Sequence, residues 1–206
     1  MIEFWTNPMS RGQIAHWMLE ELGQPYTTSW LDWGPGGNKS ADYLAVNPMG
    51  KVPTIRHDGK VVTEAAAICL YLAEAFPQAK LKPDAAGLAD YYRFTLFAAG
   101  PVEQAVTAQA LGWKVPEGRD GMAGFGSFDA TVTAMEQMLT GRDYVCGKTF
   151  TAADVYVGST IDWGLGFKSI PGCPAFNAYA ERVRARPAYK SAKAINDARI
   201  AATQKT

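Results

Sequence analysis

The sequence predicts an α/β N-terminal domain followed by an all-α C-terminal helical domain. Three observations carry this. Strand-like and helix-like patterns alternate over residues 1–78. A polar segment bracketed by Pro77 and Pro83 then interrupts them. Beyond it strand signals nearly vanish, and alanine-rich helical patterns run through 86–206. The 206 residues are 48% hydrophobic and 19% charged, enough apolar material for a packed core and too little charge for wholesale disorder.

Residues 1–6 carry β-favouring side chains and form the first expected strand. Ser10-Arg-Gly-Gln13 fits the S-x-x-Q capping box, and Ile14, Trp17, Met18 and Leu22 follow on one helical face, with Gly23 as the stop. His16 is expected to face away from that stripe. Tyr26–Leu31 reads as a second strand, Trp33–Gly37 as a loop, and Ser40–Val46 as a short helix or turn. Val52–Ile55 and Lys60–Val62 pair across an Asp-Gly turn, and Glu64–Phe76 is helical. The order β-α-β-α-β-β-α is the topology of a thioredoxin-like domain, which by itself fixes no chemistry. In the second half, helices are expected over 86–111, with a kink or break at Gly100-Pro101, and over 127–139, 152–164, 175–186 and 188–201. Thr151-x-x-Asp154 marks a capping box with a structural role.

Charge narrows the function. Twenty basic residues balance twenty acidic ones, and no basic run exists, which argues against nucleic acid or an anionic membrane as partner. Cys69, Cys146 and Cys173 are odd in number and widely spaced, so neither a disulfide framework nor a metal site is expected, and a reducing cytoplasmic setting fits. No apolar run reaches the roughly 18 residues of a membrane span, and the N-terminus does not read as a signal peptide. The loop after the first strand lacks C-x-x-C, which excludes a dithiol redox mechanism there.

Pro53 at the mouth of an apolar strand leaves Val52 able to bind an extended peptide by β-augmentation, with Glu64 one hairpin away to hold an amine. Asn47–Ile55, Glu64–Leu72 and Phe150-Thr-Ala-Ala-Asp154 together resemble the cytosolic glutathione S-transferase family, bacterial type, and the resemblance spans essentially the whole chain. It implies domains at 1–78 and 86–206, glutathione as co-substrate, no metal, and a homodimer. It also implies a cis Val52-Pro53 bond, cysteinyl backbone pairing at Val52, and Glu64 on the γ-glutamyl amine. Where the family usually has serine, this chain has Ala65, leaving the helix amides to hold the γ-glutamyl carboxylate. Lys51 is the candidate for the glycyl carboxylate.

A free thiol of pKa near 8.5 is only about 3% ionised at pH 7, and each unit of depression requires about 1.4 kcal/mol. Family members place a hydroxyl or thiol after the first strand for this purpose. Ser10 is the best match here, with Asn7 and Arg11 as alternatives, while Ser10 as a plain helix cap is the competing reading. The electrophile pocket is expected between the domains, with Trp33, Phe97, Pro101, Gln104 and Trp113 as candidates. The implied activity is attack of the glutathione thiolate on small hydrophobic electrophiles or peroxides. The alternative is a non-catalytic glutathione- or hydrophobe-binding adaptor of the same fold.

Overall fold

The computed structural model describes residues 1–204, in two compact units: 1–82 with 185–204, and 83–184. The last helix groups by its contacts with residues 1–82, and residues 205 and 206 lie outside the described residues.

The first unit is a four-stranded sheet of order β2-β1-β3-β4, built from β1 (Ile2–Thr6), β2 (Tyr26–Trp30), β3 (Thr54–His57) and β4 (Lys60–Thr63). β1 runs parallel to β2, as the βαβ crossover dictates, and antiparallel to β3, while the hairpin makes β3 and β4 antiparallel. Asp58 and Gly59 turn the hairpin with positive φ at both positions, the conformation a two-residue turn requires. The helices of this unit are α1 (Gly12–Leu22), α2 (Ala41–Val46), α3 (Ala65–Ala75) and α9 (Pro187–Thr203).

α1 is buried on more than the one face its apolar stripe predicts, because α3 packs on one side and α9 on the other. Trp17 meets Tyr189 edge-on at 5.1 Å, and Arg186 clamps Glu21 with two hydrogen bonds of 2.5 and 2.7 Å. This overturns the expected outward position of His16, which is only 1% exposed. Tyr26 donates to Glu20 (2.6 Å), so His16 Nε2–H must donate to the Tyr26 oxygen (2.9 Å), and His16 Nδ1 accepts from Asn196 Nδ2 (3.1 Å). The ring is therefore neutral, and burial holds its pKa below the ordinary value.

The second unit contains α4 (Leu88–Phe97), α5 (Glu103–Leu111), α6 (Phe128–Leu139), α7 (Ala152–Gly166) and α8 (Pro174–Arg184). Gly100-Pro101 does not break the helical path from α4 to α5. The five residues Ala98–Val102 form a π-helical turn, which accommodates the missing proline N–H within a continuous helix. α7 is buried along most of its length and packs against α4 and α8. Its capping box forms as T-x-x-D predicts, with Asp154 accepting the Thr151 amide at 2.8 Å. Asp154 also accepts from the Val145 amide (2.7 Å) and the Tyr179 hydroxyl (2.8 Å). Burial outweighs these donors and pushes its carboxyl up to about 6. Among the described residues, no helix is long and apolar enough to cross a membrane.

Candidate functional site

One rung of the sheet defines the site. Trp5 pairs with Thr54, and Thr54 with Thr63, so three segments leave the sheet at the same end. They are the loop after β1, the Val52-Pro53 entry to β3, and Glu64 after β4. Neighbouring strands lie about 4.8 Å apart, which sets roughly 10 Å from the first of these to the last. The N-termini of α1 and α3 open at this end as well, because each helix follows a strand that finishes there.

The loop after β1 is tightly tied. Asn7 is buried, donates from Nδ2 to the Leu31 carbonyl (2.8 Å), and accepts the Met9 amide on Oδ1 (2.9 Å). Ser10 donates from Oγ to the Asn7 carbonyl (2.6 Å) and accepts the Gly12 amide (2.9 Å). The expected S-x-x-Q box does not form. Arg11, not Ser10, occupies the N-cap position, and the Gln13 side chain donates to the Pro8 carbonyl. Gly12 is obligatory, since a Cβ there would lie 1.9 Å from Thr6 Oγ1. Arg11 is exposed.

The Val52-Pro53 bond is cis. Val52 lies outside the ladder, which begins at Thr54, and its backbone makes no hydrogen bond among the described residues. A buried network fixes the residue before it. Tyr43 Oη and Asn47 Nδ2 both donate to the Lys51 carbonyl, and Thr54 Oγ1 joins them at 2.8 and 3.2 Å. Burial pushes the Tyr43 phenol up, which keeps it a donor. Asn38 donates to the Gly50 carbonyl (2.8 Å), and Gly50 has φ +58 with no room for a Cβ beside the Asn38 carbonyl. Asn38 and Tyr43 escaped the sequence reading. Their signal was present only as polar residues inside a segment with little apolar periodicity. The Lys51 side chain itself is exposed and has no ion-pair partner among the described residues.

Glu64 is the N-cap of α3, yet its side chain does not cap the helix. Its backbone has φ 66 and ψ 117, a region rare for a residue with a Cβ. Its carboxylate is exposed, with no hydrogen bond or ion pair among the described residues. Ala65 and Ala66 follow, both buried, and their amides begin the helix where no intrahelical acceptor exists.

The five electrophile candidates divide between the units. Trp33 belongs to the loop between β2 and α2 in the first unit and is 52% exposed. Phe97, Pro101 and Gln104 follow one another along α4, the π turn and α5 of the second unit. Trp113 lies just past the end of α5 and is 68% exposed. Among the described residues, no group of three or more His, Cys, Asp and Glu is arranged to hold a metal ion.

Comparison with known proteins converges on one family. Residues 9–75 match the model of the glutathione S-transferase N-terminal domain, and 124–187 that of the C-terminal domain. Glutathione S-transferase A of Pleuronectes platessa is 29% identical over 185 residues, covering 84% of this chain and 82% of its own length. A solved glutathione transferase from Methylococcus capsulatus str. Bath superposes with a TM-score of 0.74 at 28% identity, over 96% of this chain and 99% of that one. A sphingomonad glutathione S-transferase complexed with glutathione does so at 0.76 and 26%, over 95% and 98%. Both halves of the chain match in their proper order, and the chain belongs to the glutathione S-transferase family.

Proposed function

We propose that this protein is a glutathione transferase that binds the tripeptide across the end of the sheet and presents its thiolate to small hydrophobic electrophiles or peroxides. The observation that carries the reading is the shared rung Trp5–Thr54–Thr63, which brings an open carboxylate, an unpaired extended backbone and a helix N-terminus together. The span of roughly 10 Å matches an extended tripeptide.

Within this reading the Val52 backbone pairs with the cysteinyl residue of glutathione. Glu64 accepts the γ-glutamyl ammonium, and the amides of Ala65 and Ala66 hold the adjoining carboxylate in place of the missing serine hydroxyl. Lys51 meets the glycyl carboxylate. The thiol then lies toward the loop after β1. Ser10 stabilises the thiolate by turning its proton from the Asn7 carbonyl to sulfur, while its oxygen keeps the Gly12 amide. Asn7 is the weaker alternative, because its side chain is already held by the Leu31 carbonyl and the Met9 amide. Arg11 would act by charge, lowering the thiol pKa without a bond to sulfur.

Ionised sulfur attacks the electrophilic carbon with loss of the leaving group. With a hydroperoxide it attacks the distal oxygen, forming a sulfenic acid that a second glutathione converts to disulfide and water, while the alcohol leaves. In this reading Trp33, Phe97, Pro101, Gln104 and Trp113 are the residues assigned to the electrophile. The working form is a cytosolic homodimer, as the family resemblance implies.

Turnover of an aryl halide and of an organic hydroperoxide, each with glutathione, tests the reading. Conjugation or peroxidase activity that collapses in Glu64→Ala supports it. Glutathione binding with no turnover of any electrophile would replace it with the non-catalytic alternative.

A further inference from the structure

α2 buries a single side chain, Tyr43, and that side chain ends in a network whose protons can be placed one by one. The Lys51 carbonyl can only accept, so the one proton of the Tyr43 hydroxyl goes to it. The Thr54 hydroxyl, 2.8 Å away, then donates to the Tyr43 oxygen. Asn47 Nδ2 spends its two protons on the Lys51 carbonyl (2.9 Å) and the Thr54 oxygen (3.2 Å), while its Oδ1 accepts the Met49 amide (3.1 Å). Tyr43, Asn47 and Thr54 are all buried, Thr54 completely. Every polar proton of the three side chains has an acceptor.

Two donors on one carbonyl fix more than that carbonyl. The Lys51–Val52 peptide is trans, and a trans peptide plane points its C=O and N–H in opposite directions. With the Lys51 carbonyl turned into the buried hydroxyls, the Val52 N–H of the same plane points away from them. That N–H has no hydrogen-bond partner among the described residues. The preceding carbonyl, of Gly50, is held by Asn38 at 2.8 Å, so both peptide units before Val52 are anchored. A peptide plane free to rotate must be ordered when a ligand binds, and one already held lowers that cost.

We propose that Tyr43 is a positioning residue for glutathione: its hydroxyl sets the plane of the Lys51–Val52 peptide and thereby aims the Val52 N–H at the cysteinyl carbonyl of the tripeptide. This role rests on the glutathione reading above and adds to it a side chain that acts through the backbone. The bonds of Tyr43 Oη run to Lys51 and Thr54, so its effect on the ligand is one of direction.

Tyr43→Phe and Thr54→Val provide the test, because each breaks the Tyr43–Thr54 hydrogen bond and only the first takes a donor from the Lys51 carbonyl. The full-length protein and both variants are titrated calorimetrically with glutathione, melted, and assayed with glutathione and an aryl halide. Tyr43→Phe should weaken glutathione about fivefold, the size of one neutral hydrogen bond, and raise its KM to match. The kcat at saturating glutathione and the KM for the aryl halide should stay at wild-type values. Thr54→Val should lower the melting temperature, as Tyr43→Phe does, yet bind glutathione within twofold of wild type. A Tyr43→Phe variant that binds within twofold of wild type overturns the role of Tyr43. So does equal weakening in both variants, which would trace the loss to core packing. A wild-type protein that binds no glutathione removes the reading of the site itself, and the role of Tyr43 with it.

Discussion

Replacing Glu64 by alanine and by glycine separates what the residue does for binding from what it does to the fold. Its carboxylate is open to solvent without a partner, so either change leaves no buried group unsatisfied. Binding should suffer equally in both. A hydrogen bond to a charged group contributes about 1.5–3 kcal/mol, equivalent to about a 10- to 100-fold rise in the glutathione dissociation constant. Stability should differ. A side chain held at φ 66 and ψ 117 costs of order 1–3 kcal/mol. Alanine retains that cost, and glycine removes it while losing roughly 0.5–1 kcal/mol to its freer unfolded chain. The glycine variant should therefore exceed the alanine variant by about 1 kcal/mol, or about 2–4 °C in melting temperature for a chain of this size. Calorimetric titration measures the first effect and differential scanning the second. A glutathione analogue lacking the amine should bind wild type and both variants with similar affinity. Dissociation constants within twofold of wild type would refute the assignment of Glu64 to the ammonium. A glycine variant less stable than the alanine variant would refute the backbone argument.

Two buried titrating groups give predictions of opposite sign. Asp154→Ala strands the Val145 amide, the Thr151 amide and the Tyr179 hydroxyl, each worth about 1–3 kcal/mol when unsatisfied. Denaturant unfolding should show a loss of several kcal/mol, with activity per folded molecule retained. The Asp154 carboxyl titrates near 6 in the fold against 3.8 unfolded, so the native state gains a proton first on acidification. Its contribution is full below 3.8 and is lost as pH rises through 6. The deficit of Asp154→Asn relative to wild type should thus widen between pH 7 and pH 4, and a deficit that narrows would contradict the buried-carboxyl account. His16 behaves in reverse. Its pKa is depressed in the fold, so its contribution is present above 6.5 and lost as pH falls below it. Protection of the α9 amides against hydrogen exchange, corrected for the intrinsic rate at each pH, should fall between pH 7 and 5 in wild type and much less in His16→Gln. An equal loss of protection in both would show that the His16–Asn196 contact does not hold that helix.

The sheet end was legible because its signals are local. Asp58-Gly59 names the turn, Pro53 bars the strand from extending, and the β-strand alternation of residues 2–6 fixes which side chains enter the core. With those three, the positions of Val52 and Glu64 follow. The loop after β1 was not legible to the same depth. Ser10 and Gln13 have the right spacing for a capping box, but Pro8 and Asn7 offer carbonyls that win both side chains, and local spacing cannot see that competition. His16 was misread for a different reason. Its burial depends on α9, some 180 residues away in sequence, whose Asn196 reaches it, and periodicity along α1 carries no trace of that partner. The π turn at Ala98–Val102 shows the same limit, since proline signals a disturbance without specifying how the backbone absorbs it.

The account rests most directly on the state of sulfur at the end of the sheet. Ultraviolet absorbance of the bound thiolate, followed against pH in wild type and Ser10→Ala, reads that state without any electrophile. The account predicts a thiol pKa well below the free value near 8.5 in wild type, returning toward it when the Ser10 hydroxyl is removed. Glutathione bound with an unshifted thiol would contradict it.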